Sequence, residues 1–333
     1  MSTIHTGHLI RKRISLYSIT TEASTTHQHS YINISNINMK NITFIGLGTM
    51  GFPMAGHLAN NGFDVTVYNR TTAKVDTWMQ QYQGTSAITP KQAVANADVV
   101  MICAGRDADV RALITAKNGV LAGIKPGALI IDHTTTSALL AEEMAAICQT
   151  HGVRFADAPV SGGQQGAQNG QLSLMVGCAE ADFDAVRHAT APYTRAIARL
   201  GEAGFGQKTK MVNQICIAGL LQGLSEAINF AQHNGLDAEQ VISVISQGAA
   251  GSWQMQNRHK TMIAGEYDHG FALDWMRKDL GICLEQANRS GVSLPVTALV
   301  DQFYADLQAM GCGRQDTSAL LKRLEKLSTL SNS

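Results

Sequence analysis

Lys210, Asn213 and Gln214 stand at i, i+3 and i+4 in the run 204–214, GFGQKTKMVNQ. On a helix these three project from one face. A lysine there can protonate a nascent alkoxide while the Asn213 amide fixes the oxygen, which is the chemistry of carbonyl reduction. Spacing alone does not separate Lys210 from Lys208, and a solvated helix lysine is the ordinary reading of either. A second candidate is the run 157–166, DAPVSGGQQG, denser in glycine than a connector needs. Ser161, Gly162 and Gly163 can turn a hydroxyl and successive N–H groups toward a small carboxylate. A third is Asp132-His133-Thr134-Thr135-Thr136. Its hydroxyls can bond a nicotinamide ribose or amide, or cap a helix over 137–149.

A dinucleotide is the expected companion. Gly46, Leu47, Gly48, Thr49, Met50 and Gly51 close a short β-rich apolar run, and a helix-like segment over 52–61 follows. In that context the first glycine permits the strand-to-helix turn, the second admits a pyrophosphate, and the third lets helix and strand pack closely. The helix start then offers free N–H groups to phosphates. A second strand over 65–68 ends at Asn69-Arg70-Thr71, the ribose-reading position. An NAD-preferring site places Asp or Glu there; Asn69 removes that repulsion and Arg70 offers a charge-assisted partner to a 2′-phosphate. NADP is therefore the expected cofactor, with NAD as the alternative. The rival reading of the segment is a solvated turn in which Thr71 caps the next helix.

The elements that must position these residues alternate strand and helix from Met39 onward, the pattern of a doubly wound parallel α/β sheet. Strands are predicted at 42–45, 65–68, 99–103, 129–132, 154–157, 173–176 and 196–200, and none after Gly201. One long helix is predicted over 207–233, then helices at 238–246, 252–264, 273–290, 295–310 and 318–327. The expected organisation is an N-terminal extension, 1–38, a Rossmann-type dinucleotide domain, 39–200, and an all-α substrate and oligomerisation domain, 201–330.

Composition narrows the partners. The 333 residues carry 16% charged side chains and no formal net charge, with no basic stripe for nucleic acid. No apolar run approaches the roughly 18 residues of a membrane span. The six cysteines are scattered without a C-x-x-C pair and read as reduced core residues, so no metal site is expected. Residues 1–38 are rich in Ser, Thr, Asn, Ile and His, with Arg11-Lys12-Arg13 and one acid, Glu22. They read as a tail or an over-extended start, with an organellar transit peptide as the alternative to a cytoplasmic protein. On that reading a chain starting at Met39 folds and works like the full one.

Four motifs in order give the chain a family likeness. They are Gly46 to Ala55, then 157–170 (DAPVSGGQQGAQNG), then 206–213 with its lysine, and Lys278-Asp279-Leu280. Across 39–327 the chain resembles the β-hydroxyacid dehydrogenases, whose members include 3-hydroxyisobutyrate dehydrogenase and tartronate semialdehyde reductase. The resemblance implies that Lys210 is the catalytic lysine and that Asn213 orients the substrate. It further implies that Ser161, Gly162 and Gly163 hold the substrate carboxylate, and that Thr135 and Lys278 touch the cofactor. The pair Asn213-Gln214 is closer to the tartronate semialdehyde reductase branch. His57 departs from the family's usual Asn, and Ala104-Gly105 from its usual Leu-Pro, which puts the cofactor's backbone contacts there in doubt.

The function expected is NAD(P)-dependent interconversion of a small β-hydroxy acid and its semialdehyde or 3-oxo acid. A non-catalytic NADP-binding protein and an imine reductase are the rivals, and the intact lysine disfavours both. The apolar residues Ile215, Ile217, Leu220, Leu221, Leu224 and Ile228 exceed what one covering layer needs, which predicts a homodimer or homotetramer. A monomer by light scattering at micromolar concentration would contradict that.

Overall fold

The computed structural model describes residues 39–330; the expectations for 1–38 fall outside the described residues. Among the described residues nine strands form one sheet: β1 (Asn41–Ile45), β2 (Asp64–Tyr68), β3 (Thr85–Ser86), β4 (Val99–Ile102), β5 (Leu129–Asp132), β6 (Arg154–Asp157), β7 (Val160–Ser161), β8 (Leu172–Cys178) and β9 (Thr194–Gly201). The helices accompanying them are α1 (Gly51–Asn60), α2 (Thr72–Gln81), α3 (Pro90–Ala93), α4 (Asp107–Thr115), α5 (Ala138–Thr150), α6 (Gly163–Gln168) and α7 (Phe183–Thr190). Beyond Gly201 the described chain is helical. It comprises α8 (Phe205–His233), α9 (Ala238–Ile245), α10 (Trp253–Ile263), α11 (Leu273–Ser290), α12 (Pro295–Ala309) and α13 (Leu320–Leu330).

The order β3-β2-β1-β4-β5-β6 is parallel throughout and doubly wound from β1. β4 and β5 are buried on both faces, as their unbroken runs VVMI and LIID require. Ile45, Val100, Ile102 and Ile130 pack with Val110 and Ile114 of α4 and Leu140 and Met144 of α5. On the opposite face Phe44 stacks on His133, whose ring hydrogen bonds to the Ala158 carbonyl and to the Tyr193 hydroxyl. Burial pushes His133 down to about 4, so this histidine is a neutral core residue.

The all-parallel expectation fails beyond β6. β8 runs antiparallel to both β6 and β7. The chain between β6 and β8 is spent on β7 and the six-residue α6 rather than on a covering crossover helix, so it returns in the opposite sense. β3 and β7 have two residues each, too few for a periodic pattern to show.

The helices beyond Gly201 share their own core. Leu221, Leu224 and Ile228 of α8 meet Met276 and Leu280 of α11, Val300 and Tyr304 of α12, and Leu320 and Leu321. The six apolar residues expected to overfill α8 therefore divide. Leu221, Leu224 and Ile228 are used within the chain, Ile215 and Ile217 are half-buried, and Leu220 joins Val212 and Cys216 on an exposed stripe.

One carboxylate joins sheet and helices. Asp157, at the end of β6 and 0% exposed, accepts from Gly204 N and Gln207 N, each at 2.7 Å. It thereby caps the N-terminus of the 29-residue α8, which no side chain at the Gly204 cap position serves. Burial raises the Asp157 carboxyl to about 6, against the lowering effect of those two N–H bonds. Asp157→Ala would leave two buried donors unsatisfied and is expected to lower the unfolding free energy by about 2–4 kcal/mol, with Asp157→Asn intermediate. Urea denaturation checks this; a loss under about 0.5 kcal/mol would show that the cap is dispensable.

Candidate active site

The glycine loop has the shape the spacing implies. Gly46 adopts φ +102°, and a Cβ there would run into the Cys103 carbonyl; one on Gly51 would strike the carbonyl of Gly46. A Cβ on Gly48 would meet nothing within 4 Å, so that backbone faces open space. α1 begins with no side-chain cap and no acid in its first turn. An uncapped helix end behind a glycine cradle fits a pyrophosphate, whose oxygens would accept from those N–H groups. Asn69 is partly engaged: its Oδ1 accepts from Leu47 N at 2.9 Å and its Nδ2 donates to the Thr71 carbonyl at 3.0 Å. Thr71 stands at the N-cap of α2 without a side-chain cap bond. Arg70 extends into solvent with its side chain 91% exposed, 4.0 Å from Asp109 Oδ1. At that exposure the pair is screened and leaves the guanidinium open to an anion.

The cap on α8 sets the rotation of its first three turns. Gln207, fully buried, holds the loop after β5: its Oε1 accepts from Thr136 N at 3.0 Å and its Nε2 donates to the Thr134 carbonyl at 2.8 Å. One turn on, Lys210 is buried, and its Nζ donates to the Val160 carbonyl at 2.9 Å. Burial pushes its ammonium down to about 8; the Asp279 charge pulls up and Lys278 pushes further down. Lys208 points elsewhere, paired with Glu142 at 2.9 Å and lying over the Phe205 ring. Asn213 Oδ1 accepts from the Ser161 hydroxyl at 3.2 Å. Lys210, Asn213 and Ser161 thus converge at the β7 strand, while Gly162 and Gly163, at φ +133° and +62°, remain exposed at the start of α6.

Behind them runs a polar chain. Asn213 Nδ2 donates to Gln214 Oε1 at 2.7 Å, and Gln214 Nε2 donates to Asp279 Oδ2 at 2.7 Å. Asp279 Oδ1 pairs with Lys278 Nζ at 3.1 Å. Lys278 Nζ also donates to the carbonyls of Thr135, at 2.5 Å, and Gly105, at 3.2 Å. Thr135 and Lys278, both expected at the cofactor, are thus joined to each other through the Thr135 carbonyl. At Ala104-Gly105, a Cβ on Gly105 would lie 2.9 Å from the movable Asp109 Oδ2 and 3.3 Å from the Trp275 ring. Sequence reasoning missed the roles of Asp157 and Gln207. Each partner lies 47 to 73 positions away, and no periodic signal links such pairs.

Comparison with known proteins bears on the family and the fold. Residues 41–201 match the family model described as the NAD binding domain of 6-phosphogluconate dehydrogenase. Residues 204–324 match the model described as NAD-binding of NADP-dependent 3-hydroxyisobutyrate dehydrogenase. The chain is an NAD(P)-dependent oxidoreductase. It belongs to the β-hydroxyacid dehydrogenase family. A Shewanella frigidimarina protein named only as an uncharacterized oxidoreductase is 56% identical over 288 residues, 86% of this chain and 99% of that one. The 2-(hydroxymethyl)glutarate dehydrogenase of Eubacterium barkeri is 34% identical, covering 87% of this chain and 96% of its own. The solved 3-hydroxyisobutyrate dehydrogenase of Mycobacterium tuberculosis with L-serine superposes with a TM-score of 0.78 at 30% identity, over 86% of this chain and 99% of that one.

Proposed function

We propose that the protein reduces a small semialdehyde to its β-hydroxy acid, and reverses the reaction, with 2-hydroxy-3-oxopropionate (tartronate semialdehyde) as the substrate type and NADPH as the preferred reductant. The observation that carries this reading is Lys210, buried beside Asn213 and Ser161 with its ammonium drawn down to about 8. The Ser161 hydroxyl, turning its proton from Asn213 Oδ1 to the substrate, and the N–H groups of Gly162 and Gly163 receive the substrate carboxylate. One N–H of the Asn213 amide is committed to Gln214, which leaves the other for the substrate oxygen. Lys210 exchanges the Val160 carbonyl for that oxygen and delivers a proton to it during reduction. In oxidation the neutral amine takes the proton back. A group titrating near 8 is suited to both directions at neutral pH. The bound nicotinamide supplies or accepts the hydride.

A second reading, 3-hydroxyisobutyrate and methylmalonate semialdehyde, is favoured by the family model that matches 204–324. Gln214 supports the first reading, and the ratio of kcat/KM for the two semialdehydes decides between them. Self-association through the exposed stripe Val212, Cys216 and Leu220 is part of the same reading.

Lys210→Ala is expected to cut turnover by about 10²–10⁴-fold with NADPH binding unchanged, whereas Lys208→Ala stays near wild type. Retention of more than about a tenth of turnover by Lys210→Ala at saturating substrate would end the proposed role. Arg70→Ala is expected to weaken NADPH by about ten- to a hundredfold and to leave NADH nearly unchanged, because only the former carries a 2′-phosphate. Titration of both cofactors by nucleotide fluorescence measures this, and equal losses would make Arg70 structural.

A further inference from the structure

His57 lies on α1 yet reaches a different element. Its Nε2 is 3.0 Å from the Ala167 carbonyl and 3.0 Å from the Gln168 carbonyl, the last two residues of α6. Both carbonyls belong to the final turn of a helix, where intrahelical donors run out; Ala167 otherwise accepts only a long bond from Gly170 N at 3.4 Å. Gly170, at φ +65°, lies beside the ring: a Cβ there would sit 3.4 Å from His57 Cε1 and 3.2 Å from the Pro192 carbonyl.

Holding the end of α6 holds its beginning. The helix has six residues, about 9 Å of rise, and it starts at Gly163 next to Gly162. The other end of this segment is fixed by pairing of Ser161 with Ser173 across β7 and β8. His57 supplies the second anchor, from the helix that follows the glycine loop. Because both partners are carbonyls, Nε2 is the ring nitrogen that carries the proton and donates to them.

We propose that His57 is a positioning residue that latches the loop 161–170 to α1 and so presets the N–H groups of Gly162 and Gly163 for the substrate carboxylate. The proposal rests on the carboxylate role given to Ser161, Gly162 and Gly163 above. No step of the chemistry passes through the imidazole.

The test compares the full chain with His57→Leu, which removes the donor, and His57→Gln, which keeps an N–H at similar reach. Amide hydrogen exchange over 162–171 reads the latch directly. Steady-state kinetics with tartronate semialdehyde, and with glycolaldehyde as a carboxylate-free probe, read its consequence. In His57→Leu we expect faster exchange in that segment. We also expect KM for tartronate semialdehyde to rise about five- to twentyfold with kcat within about twofold, and kcat/KM for glycolaldehyde to stay unchanged. His57→Gln should restore exchange and KM alike, because its amide keeps an N–H donor. Unaltered exchange in His57→Leu, or an equal loss for both aldehydes, would overturn the latch. Ser161→Ala separates the two readings. If it leaves KM for tartronate semialdehyde unchanged, the carboxylate assignment fails, and the exchange data alone decide whether His57 holds the loop.

Discussion

Every side chain that α8 contributes to the site takes its place from the bond between the Asp157 carboxylate and the backbone of Gly204 and Gln207. A helix of 29 residues packed on a sheet by apolar contacts alone can slide or rotate by a fraction of a turn at small cost. A buried carboxylate taking two N–H groups from its first turn removes that freedom, since any shift would strand charge and donors together. The glycines around it follow from the same constraint. A Cβ on Gly177 or Gly206 would collide with the Asp157 carboxylate, so both positions have to be bare. With the helix phase fixed, Gln207 pins the loop after β5, Lys210 meets the Val160 carbonyl, and Asn213 meets Ser161.

The same placement sets the electrostatics. Burial disfavours the charged lysine, and the nearby Lys278 disfavours it further. Asp279 opposes both, yet it is held 3.1 Å from Lys278 and 2.7 Å from Gln214, so its influence on Lys210 is divided. The outcome is an amine close to half-protonated a little above neutrality. Orientation and proton affinity thus come from one network, running from Thr135 through Lys278, Asp279 and Gln214 to Asn213.

How much of this was legible in the sequence varied with the range of the interaction. The apolar runs of β4 and β5 and the glycine turn before α1 are local signals, and the strands and helix they imply are present within a residue or two. The reversal at β8 was not legible, because direction depends on what fills the connection, and the short α6 gives little helical period. Periodicity put Lys210, Asn213 and Gln214 on one face but left Lys208 equivalent; family resemblance made the choice. The three-dimensional reason is the ion pair that draws Lys208 to Glu142. Asp157 was visible only as the first residue of a motif, since its partners at 204 and 207 lie beyond any sequence window.

The central claim is that Lys210 moves the proton, and kcat/KM measured against pH in both directions tests it most directly. Its ammonium titrates near 8. Reduction, which needs the proton, should therefore fall as pH rises through about 8, and oxidation, which needs the neutral amine, should rise through the same value. Lys210→Arg should lose both inflections, because a guanidinium stays charged throughout this range. Parallel profiles in the two directions, or an inflection near 8 that persists in Lys210→Arg, would contradict the account.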